Sequence, residues 1–484
     1  MSRFSFGSDY TVGIEEELLL VEGESHRLAP VAAAVLAAMD VDPSAASHEA
    51  YAAQLELRSP PSASVTEAVG ALGRLRAKVA AAGAVLLGGG LHPTAELGDA
   101  ELVPESRYER VAGEMRGLLR RTPESALHVH VGLPDEQAAV AAFNALRGAL
   151  PLLQALSASS PWWFGVDSGL ASARFTLTRA YPGRGVPSPL RDIEELERLT
   201  EATLAASGMP EATFLWWDLR LHPRYGTVEV REMDSQASLD DVAALAALIR
   251  ALAREARDGG AAEHDPAEAL AWSSFRAARD GVAANLLDGA VMRPVADLAR
   301  ATIERVRPYA RELGDEDALD GVERIVREGG GAARQREAFA AGGPQEMLRM
   351  LVSTTASRPR LGDRSGVARR WLEARANRDL GLLARLTATD AAWTSPVDGR
   401  SVGRDRVVAN VEAGFAETDS FETELLRYEE RGSRAIAVIR NVATRDDDEL
   451  DSRQILILDE ADGEVTSVRI EVDDPDAVER FWED

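Results

Sequence analysis

Val12-Gly13-Ile14-Glu15-Glu16-Glu17-Leu18 sets three consecutive glutamates inside an otherwise apolar run. In a β-strand, residues i and i+2 share a face. Glu15 and Glu17 then project one way, while Val12, Ile14 and Leu18 project the other way together with Glu16. Three later segments repeat the alternation. In Ala53–Arg58, Gln54, Glu56 and Arg58 oppose Leu55 and Leu57. In Leu127–Val131, His128 and His130 oppose three aliphatic residues. In Thr227–Arg231, Glu229 and Arg231 oppose two valines.

One alternating strand is simplest read as the surface strand of an antiparallel sheet, with polar residues facing water. Four of them, far apart in sequence, bring a second reading level with that one. If they share a sheet, the aliphatic face packs under helices and the other face is the floor of a pocket. That floor holds Glu15, Glu17, Glu56, Glu229, His128, His130 and Arg231. So many carboxylates at close quarters repel unless cations sit among them. Oxygen-rich ligation with one imidazole suits magnesium or manganese better than zinc.

The chain has 484 residues, and two domains are the expectation at that length. Its 80 acids against 54 bases give a formal charge of −26, which argues against a nucleic-acid partner needing a basic footprint. There are no cysteines, so disulfides, thiolate metal sites and cysteine nucleophiles are excluded. Met1–Tyr10 lacks the apolar core of a signal peptide, and runs such as Val31–Met39 and Ala243–Leu252 are too short or too charged to span a bilayer. A soluble, cytoplasmic protein with no membrane partner is expected. Lys78 is the only lysine and lies in a helical pattern, and no Gly-x-x-x-x-Gly-Lys-Ser/Thr sequence occurs, which excludes a P-loop. Gly88-Gly89-Gly90 reads as a tight turn. Any phosphate would be held by divalent cations and arginine forks, with Arg231 leading because it shares a face with Glu229.

Apolar residues at three-to-four spacing predict helices over Val31–Met39, Val65–Ala82, Glu136–Ser157, Ile193–Ala206, Leu239–Arg257, Pro266–Leu287 and Val295–Leu313. Gly329–Gly331 and Gly342–Pro344 punctuate the last helical stretches of this region, and Ser353–Arg364 reads as a linker. Beyond it, helices are expected at Val367–Arg378 and Asp379–Thr387. Strands come next, around Ala391–Ser395, Glu422–Glu429, Arg434–Asn441, Arg453–Leu458 and Val465–Val472, with a hairpin turn at Asp459–Gly463. The closing stretch Val472–Asp484 is acidic, either a solvated tail or a last helix.

At the alternating strands the sequence resembles a known family. Thr11–Glu17, Leu127–Gly132 and Thr227–Asp234 are similar to signature segments of the glutamate–cysteine ligase type 2 family, also called YbdK-like carboxylate–amine ligases. Gln54-Leu55-Glu56 before Pro60-Pro61, Ser160–Trp163 and Trp217–Gly226 add to the resemblance, which covers residues 8–355. It implies an α+β, glutamine-synthetase-like fold: a curved antiparallel sheet whose polar face holds ATP and Mg2+ (or Mn2+). It also implies a reaction in which a substrate carboxylate attacks the γ-phosphorus of ATP, after which an amine displaces phosphate to give an amide. Glutamate and cysteine are the implied pair, giving γ-glutamylcysteine. Carried over by position, Glu15, Glu17, Glu56, His130 and Glu229 would hold metal. Arg231, Glu17 and His128 would face the nucleotide, and Arg231 and Glu229 would act in catalysis. Family members commonly carry Tyr-Arg-Ser after the tryptophan pair, whereas this chain reads Ser172-Ala173-Arg174-Phe175; Arg174, Arg179 and Arg184 remain candidate anchors for a substrate carboxylate, or solvated surface arginines.

Residues 356–365 are expected to link to a second domain, 366–484. Arg370–Ala374, Asp390–Pro396, Gly399 and Gly403-Arg404 make it resemble an NTF2-like or SnoaL-like α+β cone. Its enzymatic relatives use acid/base residues, yet the last histidine here is His264, so an accessory role in dimerisation or small-ligand binding is expected. Asp390 and Trp393 are candidates for lining its pocket, though a turn residue and a core residue are the simpler reading. Small amino-acid substrates and a possible homodimer complete the expectation. Two alternatives stay open: a ligase for another acid and amine, and a non-catalytic nucleotide- or metabolite-sensing protein.

Overall fold

The computed structural model describes residues 4–259, 265–357, 359, 367–416, 418, 420–431, 433–445, 448–461 and 464–482. The chain divides into two compact units, Met1–Pro359 and Arg360–Asp484.

The first unit is built on one antiparallel sheet of seven strands. In space they run Ala46–His48, Gln54–Arg58, Val12–Val21, Leu127–Gly132, Thr227–Val230 and Leu219–His222, while Val85–Leu87 pairs with the far end of Val12–Val21. The four alternating segments are therefore adjacent strands. Register brings their polar residues side by side. Glu17 lies opposite Glu56, Glu15 opposite both Arg58 and His128, and His130 opposite Glu229.

Val12, Ile14, Leu18, Leu55, Leu57, Val129, Val131, Val228 and Val230 are all fully buried on the other face. They form one core with helices Val65–Ala81, Glu136–Ser157 and Leu239–Glu255 through residues such as Leu72, Phe143, Leu146, Leu245 and Ile249. Each such side chain contributes about 1.5–3 kcal/mol when removed from water, which fixes which face is the floor. Helix starts follow ordinary capping: Ser64 Oγ accepts from Glu67 N, and the Asp135 carboxylate accepts from Ala138 N. Glu136–Ser157 is long and apolar enough to cross a membrane by length and composition, but 67% of its apolar stretch is buried inside the fold.

Glu16 does share the aliphatic face, but it is not idle there. It is fully buried, and both its oxygens meet Arg76, at 2.9 Å to Nε and 2.6 Å to Nη2. Arg76 also donates to the carbonyls of Gln236, Ala237 and Thr355. Two expectations fail here. The helix drawn over Pro266–Leu287 stops at Asp280, because Gly281 turns to φ +58°; Asn285–Asp288 then pairs with Val291–Pro294 as a hairpin. The linker drawn from Ser353 begins too early, since a helix kinked at Gly342 and Gly343 runs from Gly330 to Ala356 and buries Thr355. Of the residues assigned to the link, 358 and 360–365 lie outside the described residues.

The second unit wraps helices Val367–Ala376, Leu380–Leu386 and Arg404–Ala416 against a six-stranded sheet. Its strands run in space Gly399–Val402, Thr387–Ser395, Glu464–Val472, Asp448–Ala461, Arg434–Arg445 and Ser420–Arg431, antiparallel except for the pairing of Thr387–Ser395 with Glu464–Val472. Trp371, Leu383, Leu456, Leu458 and Val468 are central to its core. The strand Gly399–Val402 and the helix Arg404–Ala416 were not foreseen. At the expected turn Asp459–Gly463, strand continues to Ala461, and residues 462 and 463 lie outside the described ones. The acidic end forms a helix, Pro475–Trp482, held by Val478 and Phe481. Trp393 is buried in the core, as the simpler reading had it, and also lines this unit's cavity; Asp390 is exposed and lies on the strand Thr387–Ser395 rather than in a turn.

Candidate active site

The polar face of the first sheet is the floor of a cavity of about 490 Å³. Every residue put forward from the strand pattern lines it: Glu15, Glu17, Glu56, His128, His130, Glu229 and Arg231. Among the described residues its wall carries six glutamates (15, 17, 49, 56, 124, 229) and six arginines (58, 107, 174, 184, 220, 231). Their order follows the strand order. Glu56, Glu15 and Glu17 occupy one half of the floor, His128 and His130 the middle, and Glu229, Arg231 and Arg220 the other half.

His128 Nδ1 is 3.4 Å from Glu15 Oε2, and its Nε2 is 3.8 Å from Glu17 Oε1. His130 Nδ1 lies 3.0 Å from Thr227 Oγ1. His130 Nε2 sits 3.6 Å from Glu15 Oε1 and 3.7 Å from Glu229 Oε1, buried and without a hydrogen-bond partner among the described residues. A buried ring nitrogen left open between two carboxylates is what a divalent cation would satisfy. Among the described residues, three groups have ligand atoms within 4.8 Å of one another: Glu15, Glu56 and His128; Glu15, His130 and Glu229; and Glu17, Glu49 and Glu56. The donors are mainly carboxylate oxygens, as magnesium and manganese prefer. The residues fit such ions.

Electrostatics agree with that fit. Burial pushes Glu17 up to about 7, with Glu49 adding to the shift. Burial, then Glu15 and Glu49, raise Glu56 well above the carboxylate range, and burial raises Glu49 too. Burial beside other carboxylates disfavours the charged form of each, a penalty that a bound cation would offset. Burial also lowers His128 well below its usual value, with Arg231 assisting, which leaves a neutral ring able to ligate.

Glu229 is fully buried and already engaged, by Arg231 at Oε1 and by Arg220 at Oε2 with contacts of 2.8 and 2.9 Å. A cation at His130 would share Oε1 with Arg231. Arg231 lies one residue past its strand, where its N donates to Asp218 O at 2.8 Å, and burial followed by Arg220 lowers it to about 9.

Arg220 and His222 were missed, although Leu219-Arg220-Leu221-His222 alternates as the four segments do. Parity alone could have found them. His222 stacks on Tyr225 at 4.3 Å at the lip, and burial, then Arg220, lowers it to about 4. Glu49, Tyr108 and Glu124 come from segments without strand periodicity, and no sequence signal marks them. Of the three arginines after the tryptophan pair, Arg174 and Arg184 line the cavity. Arg179 does not; it is taken up by Asp218 at 2.7 Å and Glu232 at 3.4 Å.

Asp234 explains why two distant motifs occur together. Fully buried, it accepts from Ser159 N, Ser160 Oγ and Ser172 Oγ, at 2.9, 2.7 and 2.9 Å. Arg174 Nη1 lies 3.6 Å from it and donates to the carbonyls of Glu232 and Met233. Gly88–Gly90 is a bend in close packing: a Cβ on Gly90 would lie 2.5 Å from Asp234 Cγ. Behind the cavity, burial and Asp218 raise Glu232 to about 8.

The family model for glutamate–cysteine ligase family 2 matches residues 11–354. The chain belongs to that family. A SnoaL-like domain model matches residues 368–468, so the second unit is of the NTF2-like kind. One relative, from Rubrobacter xylanophilus, is 36% identical over 351 residues, 70% of this chain and 93% of its own length; its name assigns it provisionally as glutamate–cysteine ligase 2-1. A second from the same organism, provisionally glutamate–cysteine ligase 2-3, is 39% identical over 366 residues, 73% of this chain and 99% of its own. Both are matched almost end to end by a length near that of the first unit alone. Among solved structures, a glutamate–cysteine ligase from Francisella tularensis in complex with AMP superposes with a TM-score of 0.55 at 14% identity, covering 85% of this chain and 99% of that one. It shares the α+β fold expected from the sequence.

Proposed function

We propose that the first unit is an ATP-dependent carboxylate–amine ligase that uses Mg2+ or Mn2+, forming an amide through an acyl phosphate. The observation that carries this reading is the graded floor, on which buried carboxylates and an open imidazole nitrogen adjoin paired guanidiniums. Divalent cations bound there would neutralise both the carboxylates and phosphate oxygens. Arg231 and Arg220, released from Glu229 as a cation takes its charge, would hold the transferring phosphoryl group. Arg174, fixed by Asp234, would orient the substrate carboxylate, whose oxygen attacks the γ-phosphorus and expels ADP. The amine then attacks the acyl carbon and expels phosphate. Phosphoryl transfer demands little covalent chemistry of the protein, so positioning and charge compensation carry the rate.

We assign glutamate as the acid and cysteine as the amine, with a cytoplasmic location, following the family. The test is ADP and phosphate release in the presence of Mg2+. Release that needs both an amino-acid carboxylate and an amine supports the reading. A folded protein that turns over no pair in a broad amino-acid screen defeats it. Nucleotide binding without turnover would instead favour a sensing role.

A further inference from the structure

The second unit encloses a cavity of about 240 Å³ whose walls are mostly apolar and aromatic, including Trp393, Phe415, Phe421 and Leu450. Into it comes Arg375, from the helix Val367–Ala376, with only 7% of its surface exposed. Arg375 makes no ion pair among the described residues. Its one hydrogen bond is a long one, 3.5 Å from Nη1 to Thr423 Oγ1. Thr423 Oγ1 accepts that bond and gives its own hydrogen to Asn441 Oδ1 at 2.8 Å, so the guanidinium meets a neutral acceptor there and not a carboxylate. Gln454, also lining the cavity, keeps its Oε1 buried without a partner. Among the described residues Asp398 is the one acidic residue on the wall; it is exposed and accepts from Trp393 Nε1 at 3.1 Å.

A buried guanidinium normally has a carboxylate to repay its desolvation. Here burial alone acts on it, lowering it to about 10. The chain carries −26 overall, so a lone buried cation is not for want of acids. Among the described residues no carboxylate repays that burial. We propose that this cavity binds a small organic monocarboxylate, its carboxylate on the Arg375 fork and its apolar body against Trp393 and Phe415.

The chemistry is narrow on both counts. A single cation matches a single negative charge, whereas a phosphate dianion would bury an uncompensated one. The planar fork accepts a carboxylate through two parallel bonds, and the Gln454 amide is within the same wall to meet a remaining polar group. The volume falls below the roughly 300–1,000 Å³ of drug-sized pockets, so the body is one ring or a short acyl chain. This inference is independent of the ligase reading, because no residue is shared between the two cavities.

The test is calorimetric titration of the full-length chain with benzoate and hexanoate, each beside its neutral amide, at millimolar concentrations. Carboxylates should bind and amides should bind roughly 10- to 100-fold more weakly. Arg375→Met should abolish that preference, leave the melting temperature of the ligand-free protein equal or higher, and leave ligase turnover unchanged. Equal binding of amide and carboxylate, retained preference in Arg375→Met, or no binding across the panel overturns the proposal. If Arg375→Met does not fold, Arg375→Gln decides: a lost preference for carboxylate over amide supports the proposal, and a retained preference overturns it.

Discussion

Glu15, Glu16 and Glu17 are neighbours in sequence with two unlike fates. Glu15 stands between both histidines and Arg58, so Glu15→Gln should weaken Mn2+ binding and turnover by at least about 10–100-fold, the loss typical even of groups one layer removed from a metal. Glu16→Ala should leave Mn2+ affinity of the folded protein intact yet cost about 3–5 kcal/mol of stability, because Arg76 loses the partner of a fully buried pair. Denaturant unfolding and Mn2+ titration on the same two variants separate these outcomes. Titration adds a second expectation. Glu17 and Glu232 have folded values raised to about 7 and 8, so they stabilise the fold fully below the unfolded carboxyl range and lose that contribution as pH rises through those values. In EDTA the melting temperature should fall from pH 7 to 8, above the range in which the lowered His128 and His222 add stability, and Mg2+ should restore the Glu17 share at the upper end. A flat or rising profile would contradict the assignment.

At the level of elements, period-two alternation was enough to find four strands of the floor, because burial of one face fixes register as well as direction. The same rule would have added Arg220 and His222. Alternation says nothing of what a buried polar residue touches, and so it places Glu16 on the aliphatic face without showing Arg76 beside it. The false helix end at Leu287 has a similar cause: apolar spacing continues past Gly281, but the backbone there is left-handed and the next residues form a hairpin. Glu49 and Glu124 were illegible because segments without a period carry no facing information, and Tyr108 because the helix that carries it, Ser106–Met115, was not read from the sequence. Gly88–Gly90 was legible as a bend but not as a packing contact. Gly90→Ala would press a methyl into the Asp234 carboxylate, and an overpacking cost of about 1–3 kcal/mol is expected in denaturant unfolding. Reduced turnover at normal folding would result if Arg174 moves with Asp234.

The whole molecule is a family-length ligase unit with a second unit added. The family match ends at residue 354, and two relatives are covered over 93% and 99% of their lengths by alignments of 351 and 366 residues. A chain ending at Pro359 should therefore retain nucleotide-dependent turnover, measured by phosphate release, with an unchanged KM for the acid.

The even balance of acids and arginines inside the cavity has a kinetic corollary outside it. An anionic nucleotide must cross the field of a molecule charged −26 to reach a wall where, among the described residues, six arginines stand beside six glutamates. Long-range repulsion slows encounter, and dissolved ions shorten its reach from about 10 Å at 0.1 M to about 3 Å at 1 M. Stopped-flow capture of nucleotide should thus quicken as ionic strength rises, the reverse of what a basic phosphate-binding protein does.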